Sequence, residues 1–154
     1  MTPNLDRLDL QILSALQDSN QMTAHDLADR VPLSPSAIQR RIRNYRNSGV
    51  ITADVSVVNP KVAGEQLSVV LLIQLVQQKP QSVAEFRAFL GKSPQVQVIM
   101  EIAGAYELMC IGMFDGIESF NQFADAHIGD HPSVGRYETI FVRRRVKFGA
   151  KIPL

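Results

Sequence analysis

The chain has a single cysteine, Cys110, so no intramolecular disulfide can form. Its setting in the apolar run LMCIGMF marks a buried structural thiol, not a nucleophile. No basic-then-apolar leader opens the sequence MTPNLDRLDL, and the longest apolar run, over residues 67–76, is too short and interrupted to cross a bilayer. Both features predict a cytoplasmic protein with no membrane contact. The sequence also lacks a Gly-rich phosphate loop, a nucleophile elbow and an HExxH pair, and its scattered Ser and Asp form no catalytic set. We therefore expect neither an enzyme nor a bound cofactor. There is no global basic field either, since the formal net charge is +1. Any nucleic-acid binding must rest on local segregation of charge.

His127 and His131 have the four-residue spacing of a helical metal pair, with Asp130 between them. Gly129 and Pro132 end the helix there and no second cluster is near, so cap or surface histidines and no metal are expected.

What the chain does have is a segregated helix. Residues 33–49 read LSPSAIQRRIRNYRNSG. Ser34 is a good N-cap, Pro35 suits the first helical position, and Gly49 supplies the stop. Stepping 100° per residue places Ile38, Ile42 and Tyr45 on one face. Ser36, Gln39, Arg40, Arg43 and Asn47 fall opposite, with Arg46 on the flank. Residues 1–60 hold six Arg and six Asp, yet four of those Arg sit in this helix, which has no acid. Such a face suits a major groove. Arg can bond guanine edges or phosphate, Gln and Asn can read adenine, and Ser can bond a backbone oxygen. Ser34 and Ser36 are the expected phosphate anchors and Gln39, Arg40 and Arg43 the base readers. Arg41, Arg46 and Asn47 are expected to assist on the backbone.

The preceding sequence supports that use. Leu5, Leu8, Ile12, Leu13 and Leu16 predict a first helix over residues 5–17, capped by Asn4. Thr23-x-x-Asp26 is a capping pattern opening a second helix that runs to about Val31. Only Pro32 and Leu33 then separate it from the third, as in a helix-turn-helix. ITADVSVVN is β-branched and predicts a short hairpin or wing. The expected division is a winged helix-turn-helix domain over residues 1–60, a linker over 61–66, and a second domain over 67–154.

That second domain reads as strand 66–77, helix 82–91, strand 96–103, strand 106–114, helix 116–128 and strand 135–147, then a loose or swapped tail. Val83, Phe86, Phe89 and Leu90 point inward from its first helix, and Ile117, Phe120, Phe123 and Ala124 from its second. The order is that of a ferredoxin-like βαββαβ domain, giving an α+β protein. Both parities of SVVLLIQLV are apolar, while helices cover only one face of such a sheet. Sheet-to-sheet dimerisation is the simplest cover for the other. Arg143, Arg144, Arg145 and Lys147 form a second basic cluster. In a strand they would alternate between faces, serving as a solvated edge, pairing acids across a subunit contact or touching DNA.

The sequence resembles the Lrp/AsnC family of transcriptional regulators, the feast/famine regulatory proteins. LDRLDLQILSALQ is similar to the family's LDxxDxxIL start. LSPSAIQRRIRNYRNSGVI is similar to its reading helix, and IxxxxxxVNPKVAG to its wing and linker. The resemblance covers nearly the whole chain. It implies a homodimer, or a tetramer or octamer built from dimers, that binds double-stranded DNA and responds to a small effector, commonly an amino acid. Family effector sites lie between subunits, near the turn joining the second and third strands and near the last strand.

Here the chain departs from the pattern. Where the family commonly has G-D-x/Y-D-Y, it has Gly104-Ala105-Tyr106-Glu107-Leu108, preceded by Ala103. Where the family often has T-x-T, it has Tyr137-Glu138-Thr139. A free amino acid needs an acceptor for its ammonium and donors for its carboxylate. Glu107 is the candidate acceptor, Thr139 or the turn's N–H groups the donors, and Tyr106 or Tyr137 the wall. The competing reading is an ordinary packed turn and a ligand-independent architectural DNA binder. A small enzyme on a dimeric ferredoxin-like fold is the remaining alternative, and it lacks a convergent acid, base or metal set.

Overall fold

The computed structural model describes residues 4–76 and 80–154. It forms two compact units, Met1–Val57 with Lys147–Leu154, and Val58–Val146.

The first unit contains α1 (Arg7–Asp18), α2 (Ala24–Ala28) and α3 (Pro35–Asn47). Each starts where a side chain can accept an orphan N–H. Asp6, not Asn4, caps α1, because Asp6 and Asp9 form a reciprocal capping box with both bonds at 2.8 Å. Thr23 and Asp26 do the same for α2, which stops at Ala28 and reaches Val31 only through turns. Ser34 accepts from Ala37 N–H at the start of α3, and Gly49 with φ 75° ends its last turn. Ile12, Leu13, Leu27, Val31, Ile38, Ile42 and Tyr45 are the buried core that packs the three helices.

One polar group sits in that core. Asp9 is on the apolar stripe of α1, four residues after Leu5 and three before Ile12, and is only 8% exposed. Its carboxylate accepts from the Tyr45 hydroxyl and from Arg41, both on α3, and from the Asp6 N–H. Arg41 Nη1 also reaches Asp6 at 2.8 Å. Burial works against the charge on Asp9. The hydrogen bonds from Tyr45, Asp6 and Arg41, with the Arg41 charge, outweigh it and hold the carboxyl below its ordinary value. The same contacts raise the Arg41 guanidinium, through Asp6 and then Asp9, so it stays ionised. Burial, followed by Asp9, raises the Tyr45 hydroxyl, which stays a donor.

The expected wing is not a hairpin. Among the described residues no strand pairs with 52–59, and Val57 is 73% exposed. The stretch has no tight turn to fold it back and no ladder to join. It is held near α3 by Ile51 N–H to Tyr45 O (3.0 Å) and by Arg46 to Asp54. The tail is not loose: it groups with this unit. Gln17 clamps the backbone of Ile152, accepting its N–H at 2.7 Å and donating to its carbonyl at 3.1 Å. Lys151 meets Asp18 at 2.5 Å, a cation at the C-terminal end of α1. By internal contacts the tail from Lys147 groups with the first unit, and the second spans Val58–Val146.

The second unit opens with a 3-10 turn, Pro60–Ala63, in place of a plain linker. It continues as β1 (Leu67–Leu75), α4 (Pro80–Lys92), β2 (Val96–Glu101), β3 (Leu108–Phe114), α5 (Ile117–Ala124) and β4 (Val134–Phe141). A π turn, Asp125–Gly129, extends α5. The expected end of β1 at Gln77 lies outside the described residues. The antiparallel sheet has the order β2-β3-β1-β4, the ferredoxin-like topology. Val69, Leu71, Ile73, Leu75, Leu108, Cys110 and Phe114 share a core with Val83, Phe86 and Leu90 of α4 and Phe120, Phe123 and Ala124 of α5. Burial pushes the Cys110 thiol up to about 11. Two residues expected in that core are not. Phe89 lies at its edge against the rings of Phe123 and His127, and Ile117, at the first turn of α5, is 49% exposed. β4 ends at Phe141, so Arg143, Arg144 and Arg145 follow the strand and do not alternate across it.

The Asp9 contacts yield a signed prediction. A folded-state carboxyl below its unfolded value, about 3.9, adds stability that is complete above that value and lost as pH falls through the folded one. Asp9→Asn is expected to be less stable than wild type at neutral pH, with the gap closing in acid. Tyr45→Phe should cost about 1–3 kcal/mol at neutral pH. Urea unfolding at pH 7 and pH 3 checks both. An Asp9→Asn deficit as large in acid as at neutrality would refute the assignment.

Candidate nucleic-acid interface and effector turn

The Ile38–Ile42–Tyr45 seam faces the core, so the opposite side of α3 is presented to solvent. Ser36, Gln39, Arg40, Arg43, Arg46 and Asn47 are all exposed. Among the described residues, neither Arg40 nor Arg43 has a carboxylate partner. Ser34 Oγ is spent on the cap and lies 3.1 Å from Ser36 Oγ, placing two hydroxyls together at the N-terminal end of the helix. A shallow cleft of about 330 Å³ flanks the polar row, with Leu16, Met22, Ala24 and Ile42 on its apolar side and Gln39, Arg43 and Asn47 on its polar side.

Three of the eight expected contacts are otherwise engaged, Ser34 by its cap bond and two arginines by acids. Arg41 is bound to Asp6 and Asp9 and belongs to the core-facing side. Its spacing, three after Ile38 and four before Tyr45, is the sequence signal for that. Arg46 Nε bonds Asp54 at 2.9 Å, but both side chains are nearly half exposed. An exposed pair of this kind is weak and readily exchanged for another anion. The free reading set is thus Ser36, Gln39, Arg40, Arg43 and Asn47.

The effector turn is divided by the sheet. Gly104 and Ala105 are exposed at the β2–β3 connection. Glu107 is not a free acceptor: its Oε2 takes the Leu75 N–H at 2.8 Å, beside the irregularity at Gln74/Leu75, while its own N–H goes to Ile73 O. It acts as a substitute rung in the ladder. Tyr137 and Thr139 pair with Ile73 and Leu71, which places them on the helix-covered face. Tyr106 instead joins two residues of the opposite parity of β4. Its hydroxyl donates to Glu138 at 2.8 Å and accepts from Arg136 at 2.8 Å, and the guanidinium lies 5.0 Å from its ring centre. The six expected effector residues therefore do not converge, and the polar cluster at this turn is Tyr106, Arg136 and Glu138. Their alternation with Tyr137 and Thr139 along the strand is the sequence signal for Arg136 and Glu138.

The face carrying Arg136 and Glu138, with Gln74 and Ser68 at the two ends of its central strand, is apolar across its middle. Register places Val70, Leu72, Met109, Ile111, Met113, Val98, Met100 and Ile140 together on it, opposite the helices. His127 and His131 pack on phenylalanines, at 4.6 Å from Phe89 and 4.4 Å from Phe86, and His131 Nδ1 accepts the Ser133 N–H. Among the described residues no helix is long and apolar enough to cross a membrane.

Comparison with known proteins agrees with this architecture. Residues 5–52 match a family model described as winged helix-turn-helix DNA-binding, and residues 68–152 match the Lrp/AsnC ligand binding domain. An uncharacterised HTH-type transcriptional regulator of Sinorhizobium fredii is 31% identical over 97% of this chain and 89% of its own length. The leucine-responsive regulatory protein of Rhizobium meliloti is 25% identical over 97% of this chain and 96% of its own. In fold, the chain is similar to a transcriptional regulator from Neisseria meningitidis solved in complex with L-Met. That likeness has a TM-score of 0.87, 24% identity and 97% coverage of both chains.

Proposed function

The chain belongs to the Lrp/AsnC family of transcriptional regulators, and from that premise we propose that α3 reads duplex DNA in the major groove. The observation that carries the reading is the free polar row of α3 behind a fully buried seam. Gln39, Arg40 and Arg43 contact base edges, and Ser36 holds phosphate at the helix start, joined by the O–H of Ser34, which the cap bond leaves available as a donor. Asn47 assists on the backbone, and Arg46 joins it by exchanging Asp54 for phosphate. Arg41 keeps the helix in place from behind. The protein acts as a cytoplasmic regulator and not as an enzyme, in keeping with its family.

The protein works as a homodimer, or as a tetramer or octamer of dimers, joined through the open face of the sheet. A contiguous apolar face of this kind on a monomer would be costly to hydrate. A twofold pair also gives two reading helices for two half-sites.

The effector is a small molecule, by analogy with the L-Met complex of the Neisseria regulator an amino acid, seated at the β2–β3 turn. Tyr106, Arg136 and Glu138, with the N–H groups of Gly104 and Ala105, supply the acceptor and donors such a ligand needs; the second Glu107 oxygen is a further acceptor. The engagement of Glu107 with Leu75 favours a second reading, a ligand-independent architectural DNA binder, because the turn is already satisfied internally.

Arg40→Ala and Arg43→Ala should each lose most DNA affinity while sedimenting as wild type; unchanged binding in gel-shift titrations would exclude α3 as the reader. Leu72→Glu on the open face should shift the sedimentation coefficient to that of a monomer, and a retained dimer would move the interface elsewhere. In a thermal-shift screen of the twenty amino acids, one should stabilise the protein and lose its effect on Glu138→Ala. A flat screen would select the ligand-independent reading.

A further inference from the structure

The segment that leaves β4, VRRRVK over residues 142–147, is not explained by the fold. Residues 58–142 hold five Lys or Arg against nine Asp or Glu, so the sheet unit up to that point is acidic. Four cations then fall within five positions, and no Asp or Glu follows Glu138 to the end of the chain. A solvated surface in a mixed-charge protein does not need this segregation. The ladder closes with Val142 N–H to Ser68 O (2.9 Å), and residues 143–147 follow it in no strand. Arg143, Arg144 and Lys147 are exposed, and among the described residues none has a carboxylate partner. A like-charged run of this kind stays extended through self-repulsion, the conformation that suits a linear array of anions.

The reading helix has a matching deficit. Of its four arginines, Arg41 is committed to Asp6 and Asp9, and Arg46 is shared with Asp54. The first sixty residues have no net charge. Affinity for duplex DNA rests heavily on phosphate neutralisation, and two free arginines supply little of it. Resting on the DNA-binding reading above, we propose that Arg143, Arg144 and Lys147 form a second, sequence-independent contact with duplex DNA phosphates. The segment gives strength and α3 gives choice. Lys147 already belongs with the N-terminal unit, whose tail is fastened to α1 through Ile152 and Lys151.

The test uses the full chain, a 30-base-pair duplex of random sequence and one selected for tight binding, with anisotropy titrations at several KCl concentrations. In the variant R143Q/R144Q/K147Q the slope of log affinity against log salt should shrink by about 0.9 for each phosphate that is no longer neutralised, roughly two to three in all. Affinity should fall at least tenfold on both duplexes alike, leaving their ratio unchanged, whereas Arg40→Ala lowers the ratio. The charge-preserving R143K/R144K should keep the wild-type slope. An unchanged slope in the Gln variant would overturn the proposal, as would a slope change accompanied by altered sedimentation, which would assign the segment to subunit contacts. Wild-type protein that binds neither duplex would instead overturn the DNA-binding reading itself.

Discussion

The carboxylate of Asp9 is the interaction on which the reading surface depends. Three donors from two directions converge on it: the N–H of Asp6 on its own helix, and the side chains of Arg41 and Tyr45 on α3. A buried charge left without these partners costs several kcal/mol, so their geometry strongly favours one arrangement of α1 against α3. Hydrophobic packing of Ile12, Ile38 and Ile42 alone is non-directional and would tolerate rotation of α3 about its axis. A rotation of one residue, about 100°, would turn Arg40 and Arg43 away from the face they now occupy. The polar lock thus connects packing to function: it makes the outward row of α3 a fixed row.

Much of this is legible in the sequence, and the gaps have physical causes. Ser34, Pro35 and Gly49 mark the ends of α3 because capping chemistry is local. The alternation and length of the sheet segments give the βαββαβ order for a similar reason: burial imposes the period on the residues themselves. The spacing of Arg41 places it beside the buried seam, but what it meets there is not legible locally. Its partners are 35 and 32 residues away. The wing fails for the opposite reason. β-branched residues favour extended chain, but a strand needs a partner, and the sequence alone does not state whether one is present. β4 reads too long at its C-terminal end because Val142 and the arginines continue the pattern after the ladder stops.

The effector turn shows how one side chain directs a neighbourhood. Glu107 is long enough to reach the Leu75 N–H, so it fills a gap in the ladder where β1 becomes irregular. The polar work at the turn then falls to Tyr106, Arg136 and Glu138, which bond one another on the open side of the sheet. Tyr137 and Thr139 lie under the helices, since a strand turns successive side chains to opposite faces. Ligand sensing and subunit pairing are therefore proposed for one face of the sheet, and a molecule held by Arg136 and Glu138 would act on the assembly that positions two reading helices.

That two-helix arrangement is the central claim, and selection from a random duplex library with the full-length protein tests it most directly. The account predicts enrichment of inverted repeats whose half-sites are separated, centre to centre, by about one helical turn of 10–10.5 base pairs or a multiple of it. Enrichment of a solitary, asymmetric site, or no enrichment at all, would contradict it.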